Sequence, residues 1–281
     1  MKLIASTGAK GGVGKSTFAI LLAFKLLREG KKVVLADLDV ECPNDYLLLN
    51  QELKNPTYTF IEFPELDREK CKKCGKCFSV CREHAIFWIK DKHPIFIRSL
   101  CSGCGACWLV CPFKAIKPKK EISGEVFVNK VRENFWLITG KSKAGISETG
   151  PIVREVKEKA IEFARKEHAD YLIIDTSPGT HCNVIQALLN CDKAYAVTEP
   201  TPLGAHDLNL ILELLKRIGV KAEIVLNKAN VGNREEIESI AEKFGVRISF
   251  EIPYSEELLK AYCEKNLEKA VSLLSNSFVS L

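Results

Sequence analysis

Short apolar runs along this chain alternate with segments whose apolar residues are spaced as on one face of a helix. The short runs predict buried β-strands, and the wider spacing predicts amphipathic helices. Strands are expected at residues 2–6, 32–36, 125–129, 135–138, 171–174, 193–197, 223–226 and 247–250. Helices are expected at residues 16–29, 151–166, 204–218, 234–244 and 255–274. This alternation predicts an α/β fold with a doubly wound, mostly parallel sheet.

The first predicted strand leads through a glycine-rich segment into the first predicted helix. Residues 9–16, with the sequence AKGGVGKS, match the phosphate-loop (P-loop) pattern G-x-x-x-x-G-K-[ST], except that Ala9 stands at the first glycine position. Backbone N–H groups of such a loop converge on phosphate oxygens at the positive end of the helix. Lys15 would reach the β and γ phosphates, and Ser16 would ligate Mg²⁺. A short match can arise by chance, but the flanking strand and helix favour nucleotide binding.

Eight of the twelve cysteines form two copies of the spacing C-x2-C-x2-C-x3-C. The first copy is Cys71, Cys74, Cys77 and Cys81, and the second is Cys101, Cys104, Cys107 and Cys111. This spacing is typical of a bacterial-type ferredoxin with two [4Fe-4S] clusters, in which the fourth cysteine of each copy ligates the other cluster. The predicted ligand sets are Cys71, Cys74, Cys77 with Cys111, and Cys101, Cys104, Cys107 with Cys81. Disulfides or two zinc sites are the alternatives, and the duplicated spacing fits neither well.

The positions of these motifs predict the domain organisation. Pro56 and Pro64 bracket a transition out of the first strand–helix–strand unit. We expect a discontinuous nucleotide-binding domain at 1–64 and 119–281, interrupted by an inserted α+β ferredoxin module at 65–118. Inside the module, short helices are expected at 80–85 and 110–115, and short strands at 86–89 and 95–97.

Charge is unevenly distributed along the chain. The formal net charge is +5, but residues 65–120 alone contain thirteen Lys and Arg against five Asp and Glu. Basic residues beside Phe87, Trp88 and Trp108 could indicate a nucleic-acid surface. Thiolate-ligated clusters would offset part of this positive charge, so nucleic-acid binding is not expected. An acidic redox partner is favoured instead, because opposite charges accelerate encounter.

Composition predicts a cytoplasmic protein without a membrane segment. The hydrophobic fraction of 46% allows a full core, yet no run approaches the roughly 18–20 apolar residues of a membrane span. The first strand leads straight into the P-loop, so no signal peptide is expected. Cysteines in iron–sulfur spacing predict a reducing compartment. Residues 270–281 carry no Lys or Arg, so no basic membrane-surface helix is expected there.

Three segments together resemble the MinD/ParA superfamily of P-loop ATPases. Residues 10–17 are similar to its deviant Walker A motif, residues 37–44 to its first switch, and residues 175–180 to its Walker B motif and second switch. The whole chain resembles members with an inserted 2[4Fe-4S] ferredoxin domain, related to Mrp-type ATPases and the nitrogenase iron protein. The resemblance implies a slow, dimer-dependent ATPase that binds ATP and Mg²⁺.

The resemblance also implies roles for individual residues. Lys10 would reach across a homodimer to the phosphates of the other subunit, while Lys15 would hold the phosphates of its own. Asp39 would position the attacking water, Asp175 would hold Mg²⁺ through a water, and Asn227 would contact the adenine. The implied nucleotide-binding residues are Gly11, Gly12, Val13, Gly14, Lys15, Ser16, Thr17, Asp175 and Asn227.

Two functions remain open. In the first, ATP-driven dimer closure is coupled to electron transfer through the clusters, by analogy with the nitrogenase iron protein. In the second, the protein carries clusters or a related metal cofactor to a partner protein, as Mrp-type ATPases do. Those carriers use a Cys-x-x-Cys pair that Cys182, Cys191 and Cys263 do not form, which favours electron transfer. These three cysteines and Cys42 are expected to be buried apolar residues, and His181 a structural histidine.

Overall fold

The computed structural model describes residues 1–146 and 148–274. Its strands are β1 (Lys2–Thr7), β2 (Val33–Asp37), β3 (Thr57–Leu66), β4 (Ile86–Phe87), β5 (Ile95–Phe96), β6 (Ile116–Arg132), β7 (Phe135–Ser142), β8 (Tyr171–Asp175), β9 (Lys193–Thr198), β10 (Ala222–Asn227) and β11 (Ile248–Ile252). Its helices are α1 (Lys15–Arg28), α2 (Asp45–Leu48), α3 (Lys76–Val80), α4 (Ala106–Leu109), α5 (Gly150–Lys166), α6 (Cys182–Leu188), α7 (Pro202–Ile218), α8 (Glu235–Phe244), α9 (Glu256–Cys263) and α10 (Leu267–Leu273). Within these described ranges, no helix is both long and apolar enough to cross a membrane. The expectation for the chain end falls partly on residues 275–281, which lie outside the described residues.

Nine strands form the central sheet, in the order β11-β10-β9-β1-β8-β2-β7-β6-β3. The seven strands from β11 to β7 are parallel to their neighbours, whereas β6 and β3 are antiparallel at one edge. One face of the sheet packs against α5, α6, α7 and α8, and the other against α1, α9 and α10. Parallel strands buried on both faces have near-continuous apolar sequences, and the short apolar runs therefore predict these strands. The predicted α/β class with a mostly parallel sheet is confirmed.

The helix expected at 255–274 is divided in two, so that prediction was wrong. Lys265 adopts a left-handed backbone conformation (φ 58°), which ends the first helical segment. The Asn266 side chain then accepts a hydrogen bond from Lys269 N (3.1 Å) and caps α10. A left-handed residue followed by an N-cap therefore separates α9 from α10.

The short helices expected at 80–85 and 110–115 were also misplaced. The observed helices α3 and α4 lie earlier, because each begins after a glycine in the left-handed conformation, Gly75 (φ 75°) or Gly105 (φ 85°). Each helix therefore begins two residues after the second cysteine of its copy and contains the third. The short strands β4 and β5 pair with each other as a separate two-stranded sheet.

An antiparallel ribbon extends from the sheet into the segment 65–118. β3 pairs with β6 from its first residue to its last, and the later part of β6 pairs with β7. The sequence pattern does not predict β3, because Pro64 interrupts it. In the structure Pro64 lies opposite Pro118 on an edge strand, where a missing N–H group is tolerated. The ribbon runs through both predicted domain boundaries.

Candidate functional site

The P-loop lies in the connection between β1 and α1. Gly12 (φ 79°) and Gly14 (φ 97°) adopt left-handed conformations there, which residues with a Cβ atom rarely adopt. The loop closes around the buried Lys15, since Lys15 Nζ donates to Lys10 O (3.1 Å) and Ser6 Oγ donates to Lys15 O (2.9 Å). Lys15 and the helix N-terminus border one cavity, an arrangement suited to binding phosphate.

Asn227 supports the P-loop from the end of β10. Its Nδ2 atom donates to Val13 O (2.9 Å), and its Oδ1 atom accepts from Lys228 N (3.0 Å). A Cβ atom on Gly14 would lie 2.5 Å from Asn227 Nδ2, so this close approach requires glycine. The predicted contact between Asn227 and adenine stays a prediction.

Two aspartates end neighbouring strands beside the P-loop. Asp37 and Asp175 are paired in register at the ends of β2 and β8, and both are buried. Asp175 Oδ2 accepts a hydrogen bond from Ser16 Oγ (2.5 Å). The structure thus brings together Ser16 and Asp175, the predicted Mg²⁺ ligand and its supporting carboxylate. Asp39 follows β2 and borders the same cavity as Ser16.

The sequence analysis gave no role to two buried carboxylates, those of Asp37 and Asp45. Asp37 accepts hydrogen bonds from the backbone N–H groups of Asp39 (3.1 Å), Asn44 (2.9 Å) and Asp45 (3.1 Å). Asp45 is 0% exposed, and neither of its carboxylate oxygens has a hydrogen-bond partner in the part of the chain that the structure describes. The strand-end position of Asp37 was a signal in the sequence, but nothing in the pattern marks Asp45 as buried.

Burial sets the proton affinities of these groups, because a low-dielectric site disfavours charged forms. Burial raises the pKa of Asp175 to about 7, although the Ser16 hydrogen bond and the Lys15 charge lower it. Burial, and then the charge of Asp175, raise the pKa of Asp37 to about 8. Burial and the charge of Asp37 raise the pKa of Asp45 well above its ordinary value. The pKa of Lys15 is lowered by burial. A bound cation would instead favour the charged form of the carboxylates and lower their pKa values.

Two cavities adjoin at Asp39. The first, of about 470 Å³, contains most of the predicted nucleotide residues, namely Gly11, Gly12, Gly14, Lys15, Ser16 and Thr17. The second, of about 600 Å³, is bordered by Cys42, His181 and Cys182. Asp39 and Pro178 border both, so one residue from each predicted switch separates the two cavities. Lys10 borders neither cavity.

Cysteines of the two copies are interleaved in the segment 65–118. One small cavity is lined by Cys71, Cys74, Cys77 and Cys111. Burial raises the pKa of the Cys101 thiol, and the nearby charges of Cys104 and Cys81 raise it further, so Cys81 of the first copy lies near Cys101 of the second. The first predicted set thus lines one cavity, and one member of the second set lies near Cys81, while both ligand sets and metal ligation stay predictions.

The two cysteine loops share one local geometry. The third cysteine of each copy is buried within its short helix. The fourth Sγ atom then accepts a backbone hydrogen bond, from Ala85 N to Cys81 (3.3 Å) and from Ala115 N to Cys111 (3.4 Å). Burial raises the pKa of Cys107 to about 12, so a coordinated metal would be needed to deprotonate it.

The four remaining cysteines differ in exposure. Cys191 is buried, as expected, but Cys42, Cys182 and Cys263 are exposed, so that expectation was wrong for three of the four. Cys42 lies in the turn after β2, and Cys182 is the first residue of α6, so both lie in or beside the loops that follow the ends of β2 and β8. Such loops lie on the surface.

Comparison with known proteins identifies the family. The family model "CobQ/CobB/MinD/ParA nucleotide binding domain" matches residues 4–268. A protein of Methanocaldococcus jannaschii, named Uncharacterized protein MJ0579, is 36% identical over 94% of this chain and 90% of its own length. An iron-sulfur cluster carrier protein of Pyrococcus horikoshii is 23% identical over 89% of this chain and 73% of its own length.

Solved structures of MinD proteins have the same fold. The cell-division ATPase MinD of Pyrococcus furiosus superimposes with a TM-score of 0.57 at 18% identity, over 98% of this chain and 97% of its own. MinD of Pyrococcus horikoshii in complex with Mg-ADP gives a TM-score of 0.57 at 17% identity, over 98% and 95% of the two chains. At this identity the likeness shows the fold alone. The family match covers nearly the whole chain, including the P-loop and both carboxylate-bearing strand ends, and the chain therefore belongs to the CobQ/CobB/MinD/ParA nucleotide-binding domain family.

Proposed function

We propose that this protein binds and hydrolyses ATP, and that nucleotide-driven closure of a homodimer is coupled to electron transfer through two [4Fe-4S] clusters. One observation carries the proposal. Strand β6 begins five residues after Cys111 and continues into the sheet whose strand ends hold the P-loop and the switches. One strand thus connects the candidate nucleotide site to the eight thiols. A conformational change at either site would be transmitted to the other along this strand.

The nucleotide chemistry follows from the residues around the P-loop. Lys15 and the loop N–H groups would hold the ATP phosphates, and Ser16 with Asp175 would position Mg²⁺. Asp39 borders the same cavity, where it would orient a water toward the γ phosphate. Lys10 borders neither cavity, so its phosphate contact requires a second subunit, as for an arginine finger supplied in trans. The ATPase would be slow and complete only as a homodimer.

The thiol arrangement fits two [4Fe-4S] clusters. One ligand set lines a single cavity, and the fourth Sγ atom of each copy accepts a backbone N–H hydrogen bond. Burial and such hydrogen bonds adjust the reduction potential of clusters. Clusters bound here would supply one-electron transfer, and they require a reducing compartment, so we propose a cytoplasmic location. We retain 65–118 as the ferredoxin module and 1–64 with 119–281 as the nucleotide-binding domain.

Backbone hydrogen bonds connect the ribbon to the first switch. Ser142 N, at the end of β7, donates to Val40 O (2.7 Å), and Lys143 N donates to Ser123 O of β6 (2.8 Å). Because Val40 follows Asp39, the position of the water-orienting residue depends on this edge of the sheet. Movement of the switch upon ATP binding would shift the ribbon and the cysteine module with it. By linkage, cluster reduction would change ATP affinity by the same free energy.

A carrier of clusters or of a related metal cofactor is the second candidate. Distant relatives are named iron-sulfur cluster carrier proteins, and the exposed Cys42 and Cys182 border one cavity beside Asp39. Closed ligation by eight cysteines would retain clusters, which favours electron transfer. The partner would be a redox protein in the first case and a cofactor recipient in the second. Positive charge in residues 65–120 favours an acidic partner in both.

Iron and sulfide counting on anaerobically purified protein tests the cluster assignment. We expect about eight iron atoms per chain, four for each cluster. Cys111→Ser should lower the iron content, because it removes a predicted ligand, whereas Cys263→Ser changes an exposed cysteine outside both copies and should leave it unchanged. Tightly bound zinc without sulfide would overturn the assignment.

A Lys10→Ala variant tests the homodimeric ATPase. It should still bind ATP through Lys15, but turnover should fall by a factor on the order of 10³, as when an arginine finger is removed. ATP-dependent dimerisation, followed by light scattering, should weaken in parallel. Lys31→Ala removes an exposed lysine beyond α1 and serves as the control. Wild-type turnover in Lys10→Ala would refute the role of Lys10.

A further inference from the structure

Three carboxylates converge beside the P-loop from three separate elements. Asp37 and Asp175 end the paired strands β2 and β8, and Asp45 begins α2, where its N–H group donates to Asp37 (3.1 Å). One carboxylate oxygen from each residue lies within 4.8 Å of the other two. Because all three residues are buried, the cluster is a fixed part of the fold rather than a group of mobile surface acids.

Asp45 is the member of this cluster without a hydrogen-bond partner. Both of its oxygens are unpaired, and so is Asp175 Oδ1. By contrast, Asp37 accepts three backbone N–H groups, and Asp175 Oδ2 accepts from Ser16. An unpaired carboxylate in a protein interior carries a large desolvation penalty. A folded protein retains such a carboxylate where another interaction compensates for that penalty.

Among residues 1–146 and 148–274, the charged side chains around the cluster do not supply that compensation. Lys15 attracts Asp175 and Asp39, but its Nζ atom is bonded to Lys10 O and borders the phosphate cavity. The side-chain charges that act on Asp45 are those of Asp37, Asp175 and Asp39, all acidic. The oxygens without partners therefore face an excess of negative charge.

We propose that Asp37, Asp45 and Asp175 together bind a divalent cation directly, before any nucleotide is present. Carboxylate oxygens suit Mg²⁺, Mn²⁺ and Ca²⁺, and oxygens within 4.8 Å of one another can all reach one ion at about 2.0–2.6 Å. Asp45 belongs to none of the nucleotide motifs, so the site goes beyond the water-mediated role proposed for Asp175. The inference rests on the proposed function only in that the same ion would later contact the ATP phosphates.

The number of carboxylates indicates which ion the site prefers. Mg²⁺ dehydrates reluctantly and is usually held by one or two carboxylates together with substrate phosphates. A third direct carboxylate favours Mn²⁺ or Ca²⁺, which exchange waters for protein oxygens more readily. The ion would enter through the nucleotide cavity, which is bordered by Ser16, the partner of Asp175, and by Asn44, the neighbour of Asp45.

Titration of the oxidised, nucleotide-free holoprotein with Mn²⁺ tests this site. Loss of the free-ion EPR signal should show one bound Mn²⁺ per chain. Asp45→Asn should weaken that binding by at least about 10-fold, because it removes a proposed direct ligand and even the loss of an outer-shell partner weakens metal binding by about 10- to 100-fold. Asp91→Asn removes an exposed carboxylate outside the cluster and should bind as the wild type does. Mn²⁺ should also raise the melting temperature of the wild type without nucleotide, a result that needs no variant.

Two results would overturn the inference. One is a wild type that binds Mn²⁺ only after ATP is added, and the other is an Asp45→Asn variant of wild-type iron content that binds Mn²⁺ as tightly as the wild type. In both cases protonation, rather than a bound metal ion, would neutralise the charge of the Asp45 carboxylate. ATP binding is measured in the same samples. A protein that binds Mn²⁺ but no ATP would reject the proposed function and leave this site standing.

Discussion

The central sheet and the cysteine module at 65–118 differ in how they are held together. Both faces of the sheet are covered by large sets of buried apolar side chains. The hydrophobic core cluster of the module consists of four buried residues, Cys77, Ile86, Cys107 and Ile116. Two of these four are predicted ligands, and the module's own strands β4 and β5 have two residues each. A core this small cannot stabilise a fold by burial, so we infer that the module depends on ligation.

The surfaces of the two regions differ as well. The module exposes large apolar side chains, including Phe87 (52%), Ile95 (61%) and Leu109 (81%), in a segment rich in Lys and Arg. Exposed apolar side chains among basic residues are typical of a surface that docks an acidic protein. The sheet instead has two cavities beside its strand ends, and they are bordered by polar residues such as Asp39, Ser16 and Thr176. The sheet is therefore suited to a small ligand and the module to a protein partner.

Iron removal should separate the two regions most clearly. In protein stripped of iron by an anaerobic chelator, amide hydrogen exchange across residues 65–118 should approach that of an unfolded chain. The strands β1, β8 and β9 should keep their protection, because their stability comes from apolar burial. Mass spectrometry of peptic fragments measures both regions in one sample.

Reconstitution with iron and sulfide provides the control, since it should restore protection to the module alone. Equal protection of residues 65–118 in the stripped and holo proteins would contradict the idea that ligation stabilises the module. Loss of protection throughout the sheet would instead show that the two regions unfold as one cooperative unit.

The sequence predicted the sheet better than its extension into the module. The parallel strands are buried on both faces, so their apolar runs stand out. Strand β3 was missed because Pro64 looks like a break, and its tolerance depends on an edge position that only the strand order reveals. Likewise, the short module helices were misplaced because the left-handed Gly75 and Gly105 define their starts. A helix of four or five residues is too short for helical periodicity to show where it begins.

The same distinction applies to the candidate site. The P-loop residues follow from local spacing, and the structure places them around one cavity. The cysteine sets also follow from local spacing, and as ligand sets they stay predictions. The cluster of Asp37, Asp45 and Asp175 depends on β2 lying next to β8 and on the path of the chain into α2. Neither relation has a local sequence signal, and the unpaired state of Asp45 emerges only from packing.

The buried carboxylates at the strand ends predict that the folding stability of the protein depends on pH. The folded-state pKa values of Asp37 (about 8) and Asp175 (about 7) lie above the ordinary value of 3.8, so the folded protein binds these protons more tightly than the unfolded chain does. Stability should therefore fall as pH rises from about 4 to about 8, by about 1.4 kcal/mol per pH unit for each such group. Thermal unfolding in EDTA without nucleotide, at about pH 6 and about pH 8, measures the fall.

Asp45→Asn should reduce this pH dependence, because the pKa of Asp45 is itself raised well above its ordinary value by burial and by the charge of Asp37, and an amide does not titrate. Adding Mn²⁺ to the wild type should reduce it as well, since a cation replaces the protons. Asp91→Asn, at an exposed position, should retain the wild-type slope. A wild type equally stable at both pH values would show that the carboxylates are compensated by something other than protons under these conditions.

The smallest expected effect comes from the contact between the two regions. Gly103 lies in the second cysteine loop with φ 69°, and a Cβ atom there would lie 2.7 Å from Ile61 Cγ1 and 3.0 Å from Glu62 O, both on β3. Gly103→Ala should therefore push the loop away from the ribbon. The left-handed conformation alone costs about 1–2 kcal/mol for a residue with a Cβ atom. We expect iron release to a chelator to accelerate on the order of tenfold, as about 1.4 kcal/mol would produce.

Gly245→Ala is the matched control, because Gly245 has a similar φ of 64° but no atom within 4 Å of its added Cβ. It ends α8, on the far side of the sheet from the module. Both variants carry the same backbone strain, so Gly245→Ala should lower the melting temperature of the nucleotide domain and leave iron release unchanged. If Gly103→Ala releases iron at the wild-type rate, the contact between this loop and β3 does not stabilise the module. The proposed route from the cysteine module to the first switch would then have to pass through β6 alone.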